Sequence, residues 1–280
     1  MSDPLLAAMR SGRPLDGVDV IDAHAHLGPY SLFFIPDADA RTMVDVMDRT
    51  GVRMTVLSSH RAIQYDAHSG NSETLRAVDR FPDRIAGYAV VNPWQQPDRE
   101  LRRLAAEPRF VGVKLHPDLH EYPLTGALYQ PVWEYAAQSG RPVLTHTWHT
   151  SAYDDPEAID AVLARHPGVR LILGHSGVSP AGMAASLAVV RRHPSTYLEI
   201  CGSSMTGTLV RWLVEQAGAD RVLFGSDFPF IDLRFSLGRV IGAGLPAAEA
   251  AAVLGGNAAA LFGRPPRRAQ TLVGTGECRD

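Results

Sequence analysis

The residues of this sequence that could do chemistry are histidines placed at the ends of apolar runs. His24 and His26 stand one residue apart in Val18-Asp-Val-Ile-Asp-Ala-His-Ala-His-Leu-Gly28. The run is strand-like, and alternate side chains of a strand share a face, so two imidazoles one pleat apart can close on a single cation. An isolated His-x-His is weak, because one packed and one solvated histidine fit the same pattern. The chain repeats the placement, however. His116 ends Phe110-Val-Gly-Val-Lys-Leu-His116, with Lys114 at the same strand parity. His146 ends Pro142-Val-Leu-Thr-His146, His175 ends Val169-Arg-Leu-Ile-Leu-Gly-His175, and Asp227 ends Arg221-Val-Leu-Phe-Gly-Ser-Asp227. Several imidazoles and a carboxylate gathered at one place form a site for a borderline divalent ion of the kind zinc favours.

What gathers them is an alternation of strands and helices. Further strand patterns run from Met54 to Ser58, from Ile85 to Val91 and from Thr196 to Cys201. Between the strands, a helix from an Asp37 N-cap to Gly51 is expected, then helices at Ser72 to Val78 and Arg99 to Glu107. Others span Tyr129 to Ser139, Pro156 to Arg165, Pro180 to Arg192 and Thr206 to Ala217, with a short one near Leu237. A last helix, Pro246 to Phe262, is interrupted at Gly255-Gly-Asn257. Eight near-continuous apolar strands alternating with helices predict a parallel sheet covered by helices, and eight units in this length predict closure into a (β/α)8 TIM barrel. No Gly-x-Gly-x-x-Gly follows the first strand, which counts against a dinucleotide fold. In such barrels the active site lies at the C-terminal strand ends, where these histidines and Asp227 fall. The expected organisation is an N-terminal arm over 1–14, one barrel domain over 15–263, and a flexible tail over 264–280.

Composition bounds the rest. The chain has 280 residues, 45% hydrophobic and 20% charged, with net charge −3. No basic block calls for nucleic acid, and no stretch reaches the roughly 18 apolar residues of a membrane helix. The first ten residues lack a basic start followed by an apolar core. With only Cys201 and Cys278 there is no disulfide framework. A cytoplasmic protein acting on a small molecule, with no nucleic-acid or membrane partner, is the expectation.

Taken together, Ile21-Asp-Ala-His-Ala-His26, Gly112-Val-Lys-Leu-His-Pro117, Val143-Leu-Thr-His146, Leu173-Gly-His175, Leu223-Phe-Gly-Ser-Asp-Phe-Pro229 and Gly255-Gly-Asn-Ala-Ala resemble the amidohydrolase superfamily. The resemblance is to its amidohydrolase-related branch, which includes aminocarboxymuconate-semialdehyde and resorcylate-type decarboxylases as well as hydrolases. It implies a metal-dependent hydrolase fold, a catalytic divalent metal, and often a homodimer. Carried over by position, it implies His24, His26, His146 and Asp227 as ligands of one metal, zinc first and manganese second. It also implies His175 as a hydrogen-bonding partner of the metal-bound water. A zinc-bound water ionises near pH 7, Asp227 could shuttle its proton, and His175 could steady a developing oxyanion.

Lys114 and His116 complete the candidate catalytic set with Asp227 and His175. A lysine inside a barrel needs a partner. In two-metal members a carboxylated strand-four lysine bridges the metals, but Lys114 lies two residues before the strand end, which favours an ammonium that binds substrate or pairs with Asp227. His116 is expected to wall the site. Arg61, Trp94, Trp148, His60 and Cys201 are weaker candidates for the rim. The reaction expected is hydrolysis of a small amide, lactone or ester, with non-oxidative decarboxylation of a small unsaturated or aromatic acid as the alternative, since both use the same ligands.

Overall fold

The computed structural model describes residues 4–32 and 34–264. Eight parallel strands form one sheet in sequence order: β1 Val20–Leu27, β2 Val52–Ser59, β3 Ile85–Val90, β4 Phe110–Leu115, β5 Val143–His146, β6 Leu171–Gly174, β7 Thr196–Glu199 and β8 Val222–Leu223. Helices α1 Pro4–Arg10, α2 Ala40–Thr50, α3 His60–Gln64, α4 Ala67–Arg80, α5 Pro97–Ala106, α6 Pro117–His120 and α7 Gln130–Ser139 cover the first half. They are followed by α8 Ile159–Arg165, α9 Pro180–Arg192, α10 Gly207–Ala217, α11 Leu233–Gly242, α12 Ala247–Ala251 and α13 Asn257–Leu261. The predicted barrel is present and nearly closed.

Between β8 and β1 the seam is made by backbone hydrogen bonds: Ala23 N–H to Phe224 O (2.9 Å), Asp227 N–H to His24 O (2.8 Å) and His26 N–H to Phe228 O (2.7 Å). The chain that follows wedges in beneath. The last expected helix is in fact α12 and α13 joined by a π-helical turn, Ala252–Gly256, at the Gly-Gly-Asn interruption. A Cβ on Gly255 would stand 2.0 Å from the Asp19 carbonyl, so only glycine allows that approach. Asn257 Nδ2 donates to Ala219 O and Val222 O, fastening the turn to the base of β8.

The lower barrel is filled by Ile21, Met54, Val56, Ala86, Tyr88, Leu144, Ile172 and Leu223, and Ala258, Ala259 and Leu261 of α13 pack into the same cluster. Burying side chains of this size contributes about 1.5–3 kcal/mol each for the larger ones. Polar and ionisable groups occupy the upper layers.

A backbone irregularity in β1 determines which side chains reach those layers. Ile21 lies opposite Met54 and His26 opposite Ser58, so β1 spends five steps where β2 spends four, with the register shift between Asp22 and Ala25. Such a bulge switches the face of every later residue. Ile21 can therefore pack in the lower core while His24 and His26, of opposite parity, also turn inward.

Local corrections to the sequence reading are small and physical. Asp39, not Asp37, caps α2: its carboxylate accepts from Arg41 N–H (2.7 Å) and Thr42 N–H (3.2 Å). The N-terminal arm includes α1, whose Ala8 is buried in the core. The tail expected from 264 onward, with Cys278, falls beyond the described residues except for Arg264. Among the described residues no helix is long and apolar enough to cross a membrane.

Candidate active site

Each ring on the floor of the site is aimed by a buried group behind it. Glu199, fully buried at the end of β7, takes the Nδ1–H of His24 at 2.9 Å. A carboxylate can only accept there, so Nε2 of His24 is left as a lone pair facing the barrel centre. Ser58 Oγ lies 3.2 Å from His26 Nδ1. Asp154, fully buried, takes the Nδ1–H of His146 at 2.7 Å and likewise leaves its Nε2 free to bind. The Cys201 thiol points at Glu199 Oε2 (2.9 Å) and lies 3.0 Å from His175 Nδ1. This pattern of carboxylate behind imidazole is how proteins fix the tautomer and orientation of metal ligands.

The free sides converge on Asp227. Its Oδ1 lies 3.2 Å from His26 Nε2 and 3.9 Å from His24 Nε2. That oxygen is buried and has no aligned hydrogen-bond donor. Ligand bonds of about 2.0–2.2 Å to one ion place neighbouring donor atoms roughly 3–3.5 Å apart, so a carboxylate oxygen beside the His24 lone pair and His26 Nε2 fits a cation well. One atom from each of His24, His175, Cys201 and Asp227 lies within 4.8 Å of all the others, and the same holds for His116, His146 and Asp154. His146 therefore groups with His116 and Asp154 and not with His24 and Asp227, and its ring stands edge-on to His175 at 4.8 Å between ring centres. His116 is half-buried and stacks on His146 at 4.1 Å, as a wall would.

Lys114 faces the interior as its parity predicted. It is fully buried, with Nζ 2.9 Å from His24 Nε2. Burial lowers its pKa to about 8, against the pull of Asp227 and Glu199. Burial also holds His24, His26 and His116 below the usual imidazole range and brings His175 to about 4, so these rings are neutral at neutral pH. For Asp227, burial works to raise the pKa, but the contact with His26 and the nearness of the His175 and His24 rings outweigh it and hold the carboxyl well below its ordinary range.

The ends of β6 and β8 carry backbone strain. His175 (φ 64°), Ser176 (49°), Val178 (65°) and Asp227 (60°) are all left-handed. For residues with a Cβ, a conformation of this kind costs about 1–3 kcal/mol and persists where a site needs it. Glycines nearby make room. A Cβ on Gly225 would meet Glu199 Oε1 at 2.1 Å, and one on Gly174 would meet the Thr145 carbonyl at 2.8 Å.

Of the weaker candidates, His60 belongs to the site: it is buried, stacks on His26 at 4.7 Å and donates to Gly28 O at 2.7 Å, with Tyr30 and Phe230 around it. Trp148 lies parallel to His146, with ring centres 6.1 Å apart. Arg61 is solvated, 61% exposed and 4.0 Å from Glu73, and Trp94 packs the loop by donating to His120 O. Sequence reasoning missed Glu199, Asp154 and Asp22. Asp22 braces the β8 loop, accepting from Ser226 N–H and Oγ and from His24 N–H. Glu199 carried the signal that exposed Lys114, an ionisable residue inside an apolar strand; Asp154 lies in a loop and carried none.

The model of the amidohydrolase family matches residues 21–264, nearly the whole described barrel. The chain belongs to the amidohydrolase family. Within it, the chain is 26% identical over 302 residues to gamma-resorcylate decarboxylase of Polaromonas sp. (strain JS666), covering 82% of this chain and 92% of that protein. Among solved structures it is similar to 5-carboxyvanillate decarboxylase of Sphingomonas paucimobilis (19% identity, TM-score 0.66, 88% and 99% of the two chains). It is also similar to the dihydroxybenzoic acid decarboxylase of Polaromonas sp. JS666 with bound manganese and the inhibitor 2-nitroresorcinol (20% identity, TM-score 0.67, 92% and 100%).

These relatives overturn the expectation of hydrolysis, since the similar proteins are carbon–carbon lyases. The misreading has a plain cause. Metal-activated water and metal-anchored decarboxylation use the same imidazoles and carboxylate, so the donor set that identified the family could not choose between them.

Proposed function

We propose that this chain is a metal-dependent, non-oxidative decarboxylase of a hydroxylated aromatic carboxylic acid. The observation that carries the reading is the match to gamma-resorcylate decarboxylase across 82% of the chain; the family match over residues 21–264 takes in the strand ends that bear His24, His26, His146 and Asp227. Those four are assigned to hold the metal, and the orphaned Asp227 Oδ1 beside Nε2 of both His24 and His26 supports the assignment. Manganese is the first choice, by analogy with the manganese-bound relative, and zinc the second. A bound divalent ion would supply positive charge that anchors the acid and draws electron density from the ring.

The chain's own residues then have defined tasks. In the reaction the bond from ring carbon to carboxylate breaks, its electron pair stays on that carbon, and a proton takes its place as carbon dioxide leaves. Asp227 and His175, one atom of each lying within 4.8 Å of the other, are assigned to relay that proton from solvent water to the carbon, each holding it only in transit. Lys114 is assigned as the ammonium that meets the substrate's negative charge, and a single-metal site follows from that role. His116 and Trp148 on one side, and His60, Tyr30 and Phe230 on the other, offer ring faces to a planar substrate.

The test is a panel of hydroxybenzoates assayed for carbon dioxide release with the manganese-loaded protein, beside lactones and amides assayed for acid release. Decarboxylation of at least one hydroxybenzoate, lost in Asp227→Asn together with the bound metal, is expected. Decarboxylation of none, or a protein that takes up no divalent metal, refutes the proposal.

A further inference from the structure

Cys201 is buried on the floor of the site, and the proposed reaction gives it no task. Its Sγ stands 2.9 Å from Glu199 Oε2, 3.0 Å from His175 Nδ1 and 3.3 Å from His24 Nδ1. Burial and the neighbouring carboxylates push the thiol well above its ordinary pKa, so it keeps its single proton. Where that proton points decides which nitrogen of the neutral His175 ring carries a hydrogen.

Glu199 claims that proton. Its two oxygens also receive His24 Nδ1–H (2.9 Å), His175 N–H (3.1 Å) and Cys201 N–H (2.6 Å). Burial raises the carboxyl of Glu199, and these donors pull it back toward the ionised form. A hydrogen bond to an ionised acceptor is roughly twice as strong as one to a neutral acceptor, so S–H goes to the carboxylate and not to the neutral ring. The thiol then turns lone pairs toward His175 Nδ1. A bare Nδ1 at 3.0 Å would set lone pair against lone pair, so Nδ1 carries the ring's hydrogen and donates it to Sγ. The end of β7 also packs this edge of the ring: a Cβ built on Gly202 would stand 3.5 Å from Nδ1.

We propose that Cys201 is a positioning residue that holds His175 as its Nδ1–H tautomer and leaves Nε2 as the bare nitrogen. The consequence for the proton relay rests on the decarboxylase reading above. A bare Nε2 takes up a proton supplied by solvent, forming an imidazolium whose Nδ1–H stays on Sγ. The same nitrogen then gives that proton to the ring carbon as its bond to carbon dioxide breaks, and the ring returns to the state it started from. In the opposite tautomer Nε2 already holds the only ring hydrogen. Giving it up would leave an imidazolate unless Nδ1 took a proton from a thiol buried away from solvent. The fixed tautomer therefore makes His175 a carrier that loads and unloads through one atom.

The experiment records the imidazole nitrogens by heteronuclear NMR in the full-length protein, isotope-labelled in its histidines and loaded with zinc, since manganese is paramagnetic. The signals of His175 are those missing from His175→Gln, and a protonated ring nitrogen is well separated in shift from a bare one. The wild type is expected to show His175 protonated at Nδ1. Cys201→Ala, whose methyl neither donates nor accepts, should move the hydrogen to Nε2. Cys201→Ser, which keeps a donor and lone pairs in place, should restore Nδ1–H. Turnover of a hydroxybenzoate should follow, with kcat falling by about tenfold or more in Cys201→Ala at nearly unchanged KM and recovering in Cys201→Ser. A wild type with the hydrogen on Nε2 overturns the inference by itself, even if Cys201→Ala does not fold, and so does a Cys201→Ala protein that keeps Nδ1–H. A shifted tautomer with unchanged kcat overturns the part His175 is given in the relay. If the tautomer shifts as expected while no hydroxybenzoate is decarboxylated, the positioning by Cys201 stands and the decarboxylase reading falls.

Discussion

Replacing Glu199 with glutamine separates a residue that aims a metal ligand from one that only fills space. In the wild type Oε2 accepts from His24 Nδ1 (2.9 Å), His175 N (3.1 Å) and Cys201 Sγ (2.9 Å), and Oε1 accepts from Cys201 N (2.6 Å). Glutamine keeps the shape but turns one oxygen into a donor. Three donors meet Oε2 and one meets Oε1, so the amide nitrogen goes to the Oε1 side and orphans the Cys201 N–H. An unsatisfied buried donor costs about 1–3 kcal/mol of stability. His24 keeps an acceptor, but a neutral one. A hydrogen bond to a charged group contributes about 1.5–3 kcal/mol and a neutral one about 0.5–1.5. The difference, about 1–1.5 kcal/mol, is expected to appear as a roughly tenfold loss of metal affinity, the lower end of what such supporting partners contribute. Competition for manganese against a chromogenic chelator reads the affinity, and urea unfolding of the metal-free protein reads the stability. A variant that loses stability but binds manganese as tightly as the wild type would refute the aiming role and leave Glu199 as packing.

Gly225→Ala should cost more than a typical surface change, since its Cβ would lie 2.1 Å from Glu199 Oε1 and 2.9 Å from His24 Cβ. A loss of about 1–3 kcal/mol in denaturant unfolding, with weakened metal binding, is expected, and unchanged stability would contradict the described packing. Lys114→Met should leave one metal per chain by elemental analysis while raising KM for the acid; two metals in the wild type falling to one in the variant would instead make Lys114 a bridging carbamate. His120 gives a stability test away from the metal. It is buried, with Nε2 donating to Ile63 O at 3.0 Å and Nδ1 3.2 Å from the Tyr129 hydroxyl, and burial lowers its pKa from 6.5 to about 4. The unfolded chain therefore takes up this proton near pH 6.5 and the folded chain only near 4, so stability is full above that window and falls as pH drops through it. The loss is at most about 3 kcal/mol, and His120→Gln should flatten that part of the pH–stability curve; an unchanged slope would rule the residue out.

The sequence by itself determined the barrel and which candidate side chains end its strands. Apolar runs of four to eight residues alternating with helical patterns admit few other folds, and His24, His26, His116, His146, His175 and Asp227 could be placed at one mouth because each ends such a run. Lys114 was assigned inward from parity alone, and the structure agrees. Parity failed in β1, where Ile21 and His26 both face inward: a bulge adds a residue that the local pattern does not reveal, because it is fixed by pairing with β2 and closure against β8. Partnership was equally beyond local reading. Glu199 behind His24, Asp154 behind His146 and Asp22 behind Ser226 are relations between side chains 8 to 204 positions apart. Residue types and spacing specify which groups can bind a cation. Only the folded chain decides which tautomer each ring holds and which charges are balanced.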